Sequence, residues 1–144
     1  MAKDLIEKTV EYVRLKLKEE HTGHDWYHVE RVWKMAKHLQ SQEGGDLELI
    51  ELSALLHDLG DDKNYEFSSI KGNLILYGMM DILEIETEMQ EKIIKVVEDS
   101  QWHASETKKP KSLEAQIVQD ADWLDSIGAV GLARAFATGG DIKR

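Results

Sequence analysis

His57 and Asp58 stand side by side at the end of the apolar run Leu52-Ser53-Ala54-Leu55-Leu56. Both are potential metal ligands. Both fall where a buried helix should carry another apolar residue or stop. Burying the pair unpartnered costs several kcal/mol, and a divalent cation is the most economical compensation. Two other segments offer donors of the same kind. One is Gly23-His24-Asp25-Trp26-Tyr27-His28, the other Gln119-Asp120-Ala121-Asp122-Trp123-Leu124-Asp125. The chain has no cysteine, which excludes disulfides and thiolate sites, so any metal is held by nitrogen and oxygen. A mixed His/carboxylate set suits one divalent ion: Mn²⁺, Fe²⁺, Mg²⁺ or Zn²⁺. An ion so placed lowers the pKa of bound water and polarises a phosphoryl oxygen.

These donors are far apart in the chain, so helices must bring them together. Apolar spacing is helical throughout, there is one proline, and no useful β-alternation occurs. The spacing predicts helices over 4–20 and 25–41, then a third from an Asp46 cap to about Asp58. A fourth covers 67–84, on the stripe Phe67, Ile70, Leu74, Tyr77 and Ile82. Thr87-Glu88-Met89-Gln90 has the capping-box pattern for a fifth, running through Val97. Ser112 caps a sixth that reaches about Ala137. The expected architecture is all-α: one domain over 1–144, a helical bundle of about six helices. His28 then comes from the second helix, His57 and Asp58 from the third, and the late acidic residues from the sixth.

Composition narrows the partners. Net charge is −10, which repels nucleic-acid backbones unless positive charge is clustered. The one compact basic patch, Lys108-Lys109-Pro110-Lys111, reads as a solvated loop. Apolar stretches fall far short of the ~20 residues a membrane span needs. The charged start Met1-Ala2-Lys3-Asp4 is no signal peptide, and cytoplasm is the default compartment. A small phosphorylated molecule is therefore the expected partner, with neither nucleic acid nor membrane; a homodimer is compatible with this.

Each candidate also has a bland explanation. His57 suits a helix C-terminus as a cation, and Asp58 can begin a turn. His28, beside Trp26 and Tyr27, can be a satisfied semi-buried histidine. Asp120 and Asp122 both border the apolar stripe of the sixth helix, and periodicity does not choose between them.

The ordered set His28, His57-Asp58 and Asp122 resembles the HD-domain metal-dependent phosphohydrolase superfamily, and within it the small bacterial HD phosphohydrolases. Similar segments are Gly23 to His28, Ala54 to Asp58 and Ile117 to Asp122, followed by Leu124-Asp125 and Ile127-Gly128-Ala129. The resemblance implies that His28, His57, Asp58 and Asp122 bind the metal. It selects Asp122 by its Ala-Asp-x-Leu context and leaves Asp120 as the fallback. It also implies that Asp61, three residues past Asp58, orients or deprotonates the attacking water, as a carboxylate does at that spot in related alarmone hydrolases. The alternative for Asp61 is a polar loop. Lys63 meets a phosphate or pairs with Asp62. Arg31, three residues past His28, can face the same pocket and bind phosphate, or pair with a nearby Glu. His24 caps or supports the second helix, or stands behind a metal ligand as its hydrogen-bond partner. His103 stands where some superfamily members hold a second metal, the less favoured role here. The relatives commonly carry Arg at the position of Trp123.

The implied activity is divalent-metal-dependent hydrolysis of a phosphoester or phosphoanhydride, with a nucleotide as the substrate class. The alternative from a different class is a metal-binding ligand sensor without turnover. Such proteins usually continue through further helices, whereas this chain ends at Gly139-Gly140-Asp141-Ile142-Lys143-Arg144. It is either a short form or lacks C-terminal helices.

Overall fold

A computed structural model of the chain describes residues 2–18, 25–59, 68–101 and 112–127. These residues form α1 (Ala2–Lys16), α2 (Trp26–Glu43), α3 (Leu47–Leu56), α4 (Ser68–Ile82), α5 (Thr87–Ser100) and α6 (Leu113–Leu124). No strand occurs among them, as the helical periodicity requires.

α3 is the hub. Leu49, Ile50 and every residue from Leu52 to Leu56 are buried, because α1, α2, α5 and α6 all pack against it. Its N-terminus is held twice. Asp46 accepts from the Leu49 N–H at 3.2 Å, and Glu114 of α6 accepts from the Asp46 N–H at 3.1 Å. Ser112 caps α6 in the same local way, accepting from the Ala115 N–H at 3.0 Å. Buried side chains of α1, α2, α5 and α6 complete the core: Ile6 and Val13, Val29 and Val32, Ile93 and Val97, Ile117 and Val118.

The cap of α2 is observed, and three local expectations are corrected. α2 is capped by Asp25, whose carboxylate accepts from the His28 N–H at 3.0 Å; His24 lies outside the described residues. α5 has no capping box: its N-cap is Glu86, with no side-chain cap bond. Gln90 instead donates to the Ile85 carbonyl and to Asp81, each at 2.8 Å. That pairing ties the α4–α5 turn together. α4 buries Leu76 and Met80, and Tyr77 of the predicted stripe packs against the core, but Leu74 is 69% and Ile82 67% exposed; the side chains of Phe67 and Ile70 lie outside the described residues. α4 is apolar on most sides, so periodicity could not orient it, and packing against α5 did.

The sixth helix stops at Leu124 rather than near Ala137. A turn follows, with Ser126 Oγ donating to the Trp123 carbonyl at 2.6 Å and the Ile127 N–H to Leu124 at 3.2 Å. No described helix is long and apolar enough to cross a membrane.

Candidate metal centre

The start of α2 meets the ends of α3 and α6, and the predicted donors converge there. His28 sits in the first turn of α2, fully buried. His57 ends α3, and Asp58 follows it in the turn. Asp122 lies in the last turn of α6 with its side chain 35% exposed, at the rim of the cluster.

His28 Nε2 lies 3.2 Å from Asp58 Oδ2 and 3.1 Å from Asp122 Oδ1. His57 Nε2 lies 3.1 Å from Asp58 Oδ1 and 3.5 Å from Asp122 Oδ1. One ligand atom from each of His28, His57 and Asp58 falls within a 4.8 Å set. Ligands bound about 2.1 Å from one metal sit about 3.0 Å apart at a right angle and about 3.4 Å apart at the tetrahedral angle. The observed spacings match that window.

The other ring nitrogens fix the tautomers. His57 Nδ1 lies 2.6 Å from the Ala54 carbonyl, which only accepts, so Nδ1 carries the proton. His28 Nδ1 lies 2.7 Å from Asp125 Oδ2, again an acceptor when ionised. Both Nε2 atoms therefore aim at the centre. His57 Nε2 is buried and faces the carboxylates of Asp58 and Asp122 without a well-aligned hydrogen bond. A buried nitrogen facing two carboxylates fits a cation, and the residues present suit one.

Electrostatics agree. Burial favours neutral His28, but Asp122 and Asp58 outweigh it and raise its pKa to about 9. Burial also opposes charge on His57, yet Asp58 and Asp122 lift its pKa well above the ordinary value. Burial alone would raise Asp122, whereas His28 and His57 hold it well below the usual carboxylate range. The metal-stripped centre thus holds protons at pH 7 that a metal must displace. Calorimetric Zn²⁺ titration in buffers of different ionisation enthalpy should show one to two protons released at pH 7. Since imidazole must be neutral to bind, apparent affinity should rise with pH below about 9, approaching roughly tenfold per unit for each proton displaced. A pH-independent affinity between 6 and 8 would contradict this.

Asp120 is exposed and stands away from the cluster, so tertiary structure separates it from Asp122. Arg31 does reach the site, but through Asp125 and not through a Glu: Nε to Oδ1 is 2.6 Å, Nη2 to Oδ2 is 3.1 Å. Asp125 is the site residue that the sequence argument missed. It follows Asp122 by three positions, so its presence on the same helix face was readable. Asp61, Lys63 and His103 lie outside the described residues.

The family model for the HD domain matches residues 25–127 of the chain. The curated relative "Uncharacterized protein YpgQ" of Bacillus subtilis (strain 168) is 36% identical over 136 residues, which cover 90% of this chain. The chain spans only 63% of that protein's length. The crystal structure of B. subtilis YpgQ in complex with ADP is 32% identical, with a TM-score of 0.70, and covers 97% of this chain and 70% of YpgQ. The crystal structure of an HD-superfamily hydrolase from Bacillus thuringiensis is 37% identical, with a TM-score of 0.71, over 100% of this chain and 69% of that one.

Proposed function

Because the chain belongs to the HD-domain family, we propose that it is a divalent-metal-dependent phosphohydrolase that cleaves a phosphoester or phosphoanhydride bond, with a nucleotide as its substrate class. The observation that carries the proposal is the convergence of two buried imidazole Nε2 atoms with the Asp58 and Asp122 carboxylates, at 3.1–3.5 Å. His28, His57, Asp58 and Asp122 are the assigned ligands. Held there, one divalent cation would supply an acidified water and positive charge for a phosphoryl group. The protein's part is positional. Asp58 approaches both imidazoles, one through each carboxylate oxygen. Asp122, its side chain 35% exposed at the rim, would face an incoming substrate. Asp61 is assigned to orient the attacking water, and Lys63 to meet a phosphate oxygen. The ADP held by YpgQ supports a nucleotide.

The test is release of phosphate and pyrophosphate from a panel of nucleotides, with Mn²⁺ present or chelated. Release that requires Mn²⁺ is expected and names the bond cleaved. No release from any nucleotide by protein verified to hold metal would turn the assignment towards a metal-binding sensor.

A further inference from the structure

Arg31 and Asp125 bind each other across a 94-residue separation in sequence, with α2 on one side and the end of α6 on the other. The pairing is a two-point fork, the arrangement in which guanidinium is most directional. The same carboxylate turns its Oδ2 to His28 Nδ1 at 2.7 Å. Oδ2 therefore accepts from both His28 and Arg31, while Oδ1 is taken by Arg31 Nε. The chain of contacts runs Arg31 to Asp125 to His28, and from the far side of that imidazole to the carboxylates of Asp58 and Asp122.

We propose that Arg31 and Asp125 are positioning residues that hold His28 in the Nδ1–H tautomer and at the ring angle a metal requires, so that Arg31 serves the metal ligand and not the substrate phosphate. Three features carry this. Asp125 is almost wholly enclosed, with 9% side-chain exposure, so its charge needs a permanent partner. Arg31 supplies that partner through its Nε and Nη2 edge, which is committed to the Asp125 carboxylate in a directional, two-point pairing. And a carboxylate hydrogen-bonded to the outer nitrogen of a ligating imidazole both orients the ring and raises its basicity. The turn that ends α6 at Leu124 is what swings Asp125 under His28.

The inference rests on the metal-centre assignment but not on turnover, so it is tested without substrate. Metal-stripped wild type, Asp125→Ala, Asp125→Asn, Arg31→Gln and Arg31→Lys are titrated calorimetrically with Mn²⁺ alone. Asp125→Ala should weaken Mn²⁺ binding roughly 10–100-fold. Arg31→Gln should weaken it in the same direction by less, and Arg31→Lys should recover part of the loss. Inorganic phosphate binding to each Mn²⁺-saturated protein should be unchanged by Arg31→Gln. In the Zn²⁺-loaded protein the His28 Nδ1 proton should exchange slowly with solvent, and that protection should vanish in Asp125→Ala. Asp125→Asn keeps the side-chain shape and stands in if the alanine variant does not fold. Unchanged Mn²⁺ affinity across all variants would overturn the relay, as would weaker phosphate binding by Arg31→Gln at unchanged Mn²⁺ affinity. Wild type that binds no Mn²⁺ would instead bring down the metal-centre assignment itself.

Discussion

Asp58→Ala is expected to abolish metal-dependent hydrolysis, with a loss of roughly 10³-fold or more. Asp58 approaches both imidazoles, one through each carboxylate oxygen, so a single truncation removes a proposed ligand and the one carboxylate whose two oxygens are shared between the two rings. Asp122 alone cannot replace it. Its Oδ1 already faces both Nε2 atoms, and its side chain lies at the open edge of the cluster. The change also alters the metal-stripped protein. Asp58 helps to raise both histidine pKa values, so without it the imidazoles titrate lower and fewer protons leave when metal is added. Raised histidine pKa values stabilise the metal-stripped fold below the unfolded value of about 6.5, and that contribution fades as pH rises towards 9. In Asp58→Ala the fade should be smaller and shifted to lower pH. Nucleotide turnover, Mn²⁺ titration and thermal unfolding at two pH values read these effects separately. Turnover within tenfold of wild type would show that the chemistry lies elsewhere.

The second large effect is on stability. Leu55→Ala should cost about 2–5 kcal/mol, a large share of the ~5–15 kcal/mol that holds a domain of this size. Leu55 is completely buried in the helix that touches α1, α2, α5 and α6. No single neighbour can close the resulting cavity, because each is fixed by its own contacts elsewhere. The expected fall in melting temperature is on the order of 5–15 °C. The same substitution should also weaken metal binding modestly, since His57 and Asp58 stand on the end of this helix. Chemical denaturation gives the free energy, and calorimetry with Mn²⁺ gives the coupling. A loss below about 1 kcal/mol would mean that α3 is not the element on which the others are assembled.

The site and the core are linked through that helix. Packing buries α3 on nearly every side, so its direction is set tightly, and its last turn delivers His57 to a defined place. The Ala54 carbonyl, left over at the helix end, then takes the Nδ1 proton and turns the ring. A helix terminus thus supplies both the position and the tautomer of a proposed ligand.

The local chemistry of this chain was legible without coordinates. Helical spacing, the caps Asp46 and Ser112, and the misplaced polar pair after Leu56 all depend on residues within a few positions of one another. So does the nomination of His28 and of an acidic residue near 120 as donors. What could not be read there depends on how rigid elements cross. Periodicity left Asp120 and Asp122 equivalent and only the family resemblance favoured Asp122; the rotation of α6 against α2 and α3 exposes Asp120 and turns Asp122 to the histidines. α4 offered more than one apolar face, so the stripe read from its spacing gave way where packing against α5 buried Leu76 and Met80 and left Leu74 and Ile82 exposed. The end of α6 at Leu124 follows from a turn that places Asp125 against His28 and Arg31. Those contacts join residues 97 and 94 positions apart, beyond the reach of any local propensity. Short-range backbone geometry decides which helices form and where they start; packing between them decides which of several plausible carboxylates reach the centre and what holds each ligand in place.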